Sequence, residues 1–305
     1  MRSDRQRLHQ WLAVPLRSGA ELAIGLLVAC GISGIVMPAS AAPAQQDSRP
    51  KQDAVDNPED AEQDDADNNG NDITRPQNSF DIRLRYQSSS GPTSRTERGI
   101  TMLRLTNRLA LDADWKLAAL TQLPIVTKAT TGADRETGIG DPFFQAALIR
   151  TIDKDWAFGF GARLVAPGAE DYLGSGKWQI MPGFGVRFSF PGLGTDSYFV
   201  PAIRYAISFA GDPSRRNISQ PQIAPTFNIG LSDRWYATLY PSYDIRINEG
   251  APVSGQKGRL FLPFDAGIGH RLNDNVAMFI EIGVPIIKDY PVYNLKVEAR
   301  LAVKF

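Results

Sequence analysis

The chain of 305 residues carries 33 basic and 33 acidic side chains, and its 2 histidines and 1 cysteine leave little for metal or thiol chemistry. A formal charge of zero removes the electrostatic basis for nucleic-acid binding, so neither a cofactor nor a nucleic-acid partner is expected. Composition changes along the chain and divides it into zones 1–41, 42–78 and 79–305.

The first zone reads as a signal peptide. Arg2, Arg5, Arg7 and Arg17 form a basic start, Leu22 to Met37 is an apolar run, and Ala39-Ser40-Ala41 offers small residues before cleavage at Ala42. A transmembrane anchor is the competing reading, but about sixteen residues is short for a bilayer span and no charged stop follows. Cys30 lies inside this zone, so a mature chain has no thiol. Leu27-Val28-Ala29-Cys30-Gly31 resembles a lipobox, which leaves lipidation of Cys30 open.

Residues 42–78 are expected to form a disordered acidic periplasmic segment. From Asp47 to Asn78 the chain is rich in Asp, Glu, Asn, Gln and Pro, and too little apolar surface is present to offset the entropy of ordering it. The run Asp67-Asn68-Asn69-Gly70-Asn71-Asp72 invites a calcium-loop reading, but lacks the later bidentate Glu.

Everything from 79 onward has β pattern. Phe80, Ile82, Leu84 and Tyr86 alternate with Asp81, Arg83, Arg85 and Gln87, and the same period of two recurs to the end of the chain. Twelve strands are predicted near 80–88, 101–111, 115–126, 141–150, 156–165, 177–190, 198–209, 219–231, 235–247, 259–271, 276–287 and 293–305. Most are about twice the usual globular length and long enough to cross hydrocarbon at a tilt. Short connections rich in Asp and Asn alternate with longer ones, the asymmetry of an up-and-down transmembrane barrel. The predicted fold class is therefore all-β, a closed antiparallel barrel of about twelve strands.

The last run is the most regular. Tyr293, Leu295, Val297, Ala299, Leu301, Val303 and Phe305 face one way, and the end on Phe305 resembles the C-terminal signal of bacterial outer-membrane barrels. The implied partners are outer-membrane lipid and the barrel-assembly machinery, with both termini periplasmic. Trp115, Trp156 and Trp235 each open a strand after a short turn, which suits an aromatic girdle at the lipid boundary, with Tyr198 and Phe199 near the equivalent place. Trp178, Tyr243, Tyr290 and Tyr293 are candidates for the outer girdle, and Phe305 for the inner one.

If the apolar side touches lipid, the polar side lines an interior. The predicted inward set is Arg83, Arg85, Arg104, Arg108, Arg163, Arg187, Arg204, Asp244, Arg246, Asp265, Glu281, Lys296, Glu298 and Arg300. Two uses compete: pairing across strands, or a surplus of positive charge that favours anions. Gly159, Gly161, Gly183, Gly185, Gly267 and Gly269 fall on the same face and leave room there. Pro124, Pro142, Pro182, Pro201, Pro225, Pro241, Pro263 and Pro285 fall in predicted strands, where each removes a ladder donor, and this raises the hypothesis of a side opening in the wall.

Gly138-Ile139-Gly140-Asp141 before the strand Phe143 to Arg150, and Leu173-Gly174-Ser175-Gly176-Lys177-Trp178 before Pro182-Gly183, resemble the outer-membrane family named for a meta-pathway of phenol degradation. The resemblance covers roughly residues 100 to 305, and Pro142 departs from it. It implies a barrel that passes small, often aromatic or apolar, molecules. Passive uptake is the leading expectation. A structural or adhesive barrel without a pore is the alternative, with a membrane-embedded hydrolase third. The hydrolase reading has only His270 as a base, on the lipid side by parity, with Leu272 where a barrel phospholipase would carry its Ser. No catalytic or metal-ligating residue is assigned.

Overall fold

The computed structural model describes residues 72–90, 94–168, 173–194 and 196–305. The expected signal peptide, Cys30 and residues 42–71 lie outside the described residues. The strands are β1 (Ser79–Ser90), β2 (Arg95–Ala110), β3 (Trp115–Thr130), β4 (Glu136–Ile139), β5 (Phe143–Thr151), β6 (Trp156–Val165), β7 (Lys177–Ser189), β8 (Tyr198–Gly211), β9 (Ser219–Gly230), β10 (Trp235–Leu239), β11 (Ile245–Ile247), β12 (Leu260–Arg271), β13 (Val276–Lys288) and β14 (Leu295–Lys304). One 3-10 turn, Pro191–Leu193, precedes β8.

Each strand pairs antiparallel with its neighbours, and β1 pairs with β14 from Ser79 opposite Lys304 to Ser88 opposite Leu295, which closes the sheet into a barrel. Strands β4 and β5 pair with successive parts of β3, and β10 and β11 both lie between β9 and β12. They are two broken staves, interrupted at 140–142 and 240–244, so the barrel has twelve staves as predicted.

Local chemistry explains the short turns. Asp112 Oδ1 accepts from the backbone N–H of Asp114 (2.9 Å) and Trp115 (2.7 Å), and Asp153 does the same for Asp155 and Trp156. Asn273 repeats the arrangement before β13, and Ser232 does so before β10. An Asx or Ser side chain that satisfies two orphan donors sharpens the reversal and fixes where the next strand begins.

Burial is inverted relative to a water-soluble protein. On β13, Ile280, Ile282 and Ile286 are 55%, 48% and 63% exposed, whereas Phe279 and Glu281 are buried. On β14, Lys296, Glu298 and Arg300 are buried while Leu301 and Val303 are exposed. A belt of exposed aliphatic side chains around a polar interior is stable only where the outer solvent is itself apolar.

Proline marks several irregularities. Pro142 and Pro241 lie in the two stave breaks, the β12–β13 register shifts between Leu262 and Pro263, and the β7–β8 ladder lacks pairs at Met181-Pro182 and at Val186-Arg187, opposite Pro201. Pairing is thus not continuous around the wall.

Two expectations need correction. Tyr290 and Tyr293 are buried and pack with Phe261, and Tyr243 packs against the cluster of Tyr198, Val200 and Ala202, so Tyr198, Tyr243, Tyr290 and Tyr293 are internal rather than girdle residues. Parity fails for them because β14 starts only at Leu295 and because Tyr240, at φ 51°, breaks the stave before Tyr243. Finally, the last part of the polar zone, residues 72–78, is packed with the barrel rather than disordered: Asp72, Thr74 and Arg75 are all buried.

Candidate functional site

Inward side chains of the staves around β14 form a compensated charge network. The buried Lys296 ammonium donates to Asp244 Oδ2 (2.5 Å), Asp265 Oδ2 (2.8 Å) and Glu281 Oε1. Arg246 Nη2 donates to Asp244 Oδ1 (2.7 Å), the Tyr293 hydroxyl to Asp244 Oδ2 (3.2 Å), and the Ser242 hydroxyl to Glu281 (2.9 Å). The three carboxylates lie within 4.8 Å of one another, a spacing that would suit a metal ion, but the ammonium stands among them. Beside them Arg85 Nε donates to Glu298 (2.6 Å) and Arg83 Nη2 to Asp81 (2.8 Å). Rings fill the next sector: Tyr236 stacks on Phe279 at 5.9 Å with Arg300 5.1 Å from the Phe279 centroid. They occupy the room left by Gly267 and Gly269, where a Cβ would collide with Phe279 and Tyr236.

The opposite wall is different. Arg104 donates to Gln122 Oε1 (3.2 and 2.7 Å), Arg163 to Gln145 Oε1 (3.0 and 2.8 Å), and Arg204 Nε to Gln222 Oε1 (2.6 Å). In each pair the two residues face one another across neighbouring staves. Among the described residues these three guanidiniums have no carboxylate within 4.0 Å. Pairing with carboxylates thus holds in the first sector, and pairing with glutamine amides in the second.

At the short-turn end, residues 72–78 enter the interior. Asp72 accepts from the Thr74 N–H (2.8 Å), the Thr74 hydroxyl (2.6 Å) and Arg75 Nε (2.8 Å), and Arg187 lies 3.8 Å away. Arg75 reaches Asp196 in the turn before β8, which also receives Arg271 (2.8 Å), and its guanidinium lies 5.3 Å from the Tyr198 centroid. Burial works to raise the Asp72 carboxyl, but Arg75 and Arg187 outweigh it and hold it below the usual carboxylate range. At Asp196 burial wins over both arginines and pushes the carboxyl up. Between this segment and the arginine wall lies a cavity of about 170 Å³, lined by Ile73, Arg75, Arg83, Arg104, Arg163, Arg204, Tyr243, Ile149, Met181 and the glycines of β6 and β7. Gly159 faces Gly185 and Gly161 faces Gly183, so two adjacent staves are bare there.

The family model described as "Putative MetA-pathway of phenol degradation" matches residues 64–284. The chain belongs to this family. A search of curated proteins finds no match. Among solved structures the chain is similar to an outer membrane channel from Pseudomonas putida F1, at 12% identity and a TM-score of 0.61, over 75% of this chain and 96% of that one. The β-domain of the Bordetella autotransporter BrkA gives 11% identity and 0.49 over 75% and 100%, and the KdgM porin 13% and 0.43 over 74% and 99%. At 12% identity the likeness to the Pseudomonas putida channel is one of fold, that of an outer-membrane barrel.

The two motifs behind the family resemblance meet in space. Asp141 Oδ1 accepts from the Gly168 N–H (2.9 Å) and Oδ2 from the Ser175 N–H (2.6 Å), and a Cβ at Gly174 would overlap the Asp141 carboxylate. The carboxylate ties the β4–β5 break to the long loop before β7, so Asp141 and Gly174 are a structural clasp. Of the predicted inward residues, Arg187 is buried near Asp72 and donates to the Lys154 carbonyl (3.2 Å), and Arg108 lies near the short-turn end, where its N–H donates to Asn78 (2.7 Å). Trp156, Trp235 and Phe305 are exposed at the short-turn end, Trp115 is edge-on to Phe158 at 6.1 Å, and Trp178 opens β7 at the other end. His270 packs on Trp235, centroids 4.3 Å apart, with an apolar side chain, Leu272, where the hydrolase reading needs Ser. Sequence reasoning missed Asp72, Arg75, Asp196 and the three glutamines. Only the glutamines left a signal: each lies 18 residues from its arginine.

Proposed function

We propose that the protein is a non-enzymatic outer-membrane channel for passive passage of a small, largely apolar or aromatic molecule. The observation that carries this reading is the cavity of about 170 Å³ inside the barrel, lined by small and apolar residues of β3, β5, β6 and β7 together with Arg83, Arg104, Arg163 and Arg204. The short-turn end is periplasmic in this reading, Trp115, Trp156, Trp235 and Phe305 sit at its lipid boundary, and Trp178 at the outer one. Residues 72–78 obstruct the interior from the periplasmic side. The broken stave at 240–244 and the lapsed β7–β8 ladder support a lateral exit into lipid for an apolar solute. The outer membrane channel of Pseudomonas putida F1 is a fold relative and supports the channel class without naming a solute.

Liposome-swelling and planar-bilayer measurements test the proposal. The reconstituted protein should pass small solutes slowly, and deletion of residues 42–78 should raise the flux. Absence of flux in both forms would overturn it. The second reading, a structural barrel without a pore, is favoured by the filled sector around Lys296, Tyr236 and Phe279, and it is what that negative result would support.

A further inference from the structure

We propose that Arg104, Arg163 and Arg204 form a binding site for the carboxylate of a small apolar acid, whose ring or short chain lies along the bare wall of β6 and β7. The inference rests on the channel reading and narrows its solute to amphipathic anions.

The three guanidiniums line one cavity together with Arg83 and Arg75. Arg83 is matched by Asp81 and Glu298, and Arg75 by Asp72 and Asp196, so those charges are compensated. The other three hydrogen-bond to glutamine oxygens, and the carboxylates that act on them, Asp81 and Glu298 on Arg104 and Asp244 on Arg204, do so from beyond ion-pair distance. A neutral amide oxygen satisfies an N–H but does not offset the charge, and a partly buried ion without a counter-ion is unfavourable. Arg163 also lies within electrostatic range of Arg204, Arg104 and Arg83. An anion between them relieves repulsion that the protein itself leaves standing.

Geometry favours a carboxylate. Glutamine holds one edge of each guanidinium, and an aromatic ring holds one face of two: Arg163 lies 3.7 Å from the Phe143 centroid and Arg204 4.3 Å from that of Tyr243. The planes are thereby fixed, and their remaining N–H groups are available for the forked contact that suits a carboxylate. Beside them Leu120, Ile149, Met181, Gly159 and Gly161 provide apolar lining. Cavities of roughly 150 Å³ hold a single benzene ring, so the space of about 170 Å³ suits a one-ring or short-chain acid.

The test is calorimetric titration of the full-length protein in detergent with benzoate, with its near-isosteric neutral counterpart benzamide, and with hexanoate, alongside proteoliposome flux of the same probes. Benzoate should bind at least about tenfold more tightly than benzamide, and Arg163→Gln and Arg204→Gln should each weaken benzoate about tenfold with benzamide unmoved. Hexanoate binding on a par with benzoate extends the site to aliphatic acids, and weaker binding restricts it to aromatic ones. Benzoate binding without flux, in the full-length protein and in the form lacking residues 42–78 alike, leaves the site standing and sinks the channel reading. Equal or absent binding of benzoate and benzamide to the wild-type protein overturns the site whatever the flux. Should either variant fail to fold, the wild-type contrast and the Arg→Lys forms decide.

Discussion

Removal of the ammonium at position 296 is the most demanding test of the interior network. Lys296 contacts three carboxylates, two of them at 2.5 and 2.8 Å. At an effective dielectric of about 20 each such contact is worth roughly 6 kcal/mol of attraction, most of it offset by desolvation and by repulsion among the carboxylates. Lys296→Met preserves volume but strands Asp265 and Glu281, so the expected loss is about 3–5 kcal/mol, a large part of a typical stability margin. Guanidinium unfolding in detergent, followed by tryptophan fluorescence, measures it. Adding Asp265→Asn and Glu281→Gln to Lys296→Met should recover part of the loss. A loss below about 1 kcal/mol at neutral pH would refute the account.

Three further outcomes are expected. Gly161→Ala should lower stability by about 1–3 kcal/mol, since the new methyl meets the Ala146 carbonyl oxygen, whereas Gly99→Ala, with nothing within 4 Å, should stay within about 0.5 kcal/mol in the same unfolding assay. Asp112→Ala frees the two N–H groups of Asp114 and Trp115 and should destabilise by about 1 kcal/mol, read from the same curves. The Asp72 tether follows a definite sign: its carboxyl sits below the usual range, so its contribution is present above the unfolded value near 4 and is lost as pH falls through the lowered folded one. The Thr74 amide, which donates to Asp72, should therefore be protected from hydrogen exchange at neutral pH and lose that protection, measured against the unfolded-chain rate at each pH, only in acid.

Most of the barrel was legible because a strand shows its two faces to two different solvents, and β13 and β14 record that as strict alternation. The turn positions were legible for the same local reason, an Asp, Asn or Ser placed before the next strand. What the chain hid was tertiary. The Arg–Gln pairs depend on register between staves, and nothing in a single strand says that Arg163 will face Gln145. Parity misplaced Tyr243 because a positive φ at Tyr240 interrupts the alternation without changing composition. Residues 72–78 were misread because composition reports what a segment can bury by itself, and Asp72 and Arg75 are ordered by partners far along the chain.

The strand that shuts the barrel also carries the cation its neighbours require. Until β14 is seated against β1, Asp244, Asp265 and Glu281 share an unfinished cylinder with no ammonium among them. A chain cut short by about ten residues therefore lacks more than one wall segment: it holds stranded negative charge in its middle. Completion of the polypeptide and arrival of the cation in the Asp244, Asp265 and Glu281 cluster are a single event, which gives the assembled form an advantage that no truncated product shares.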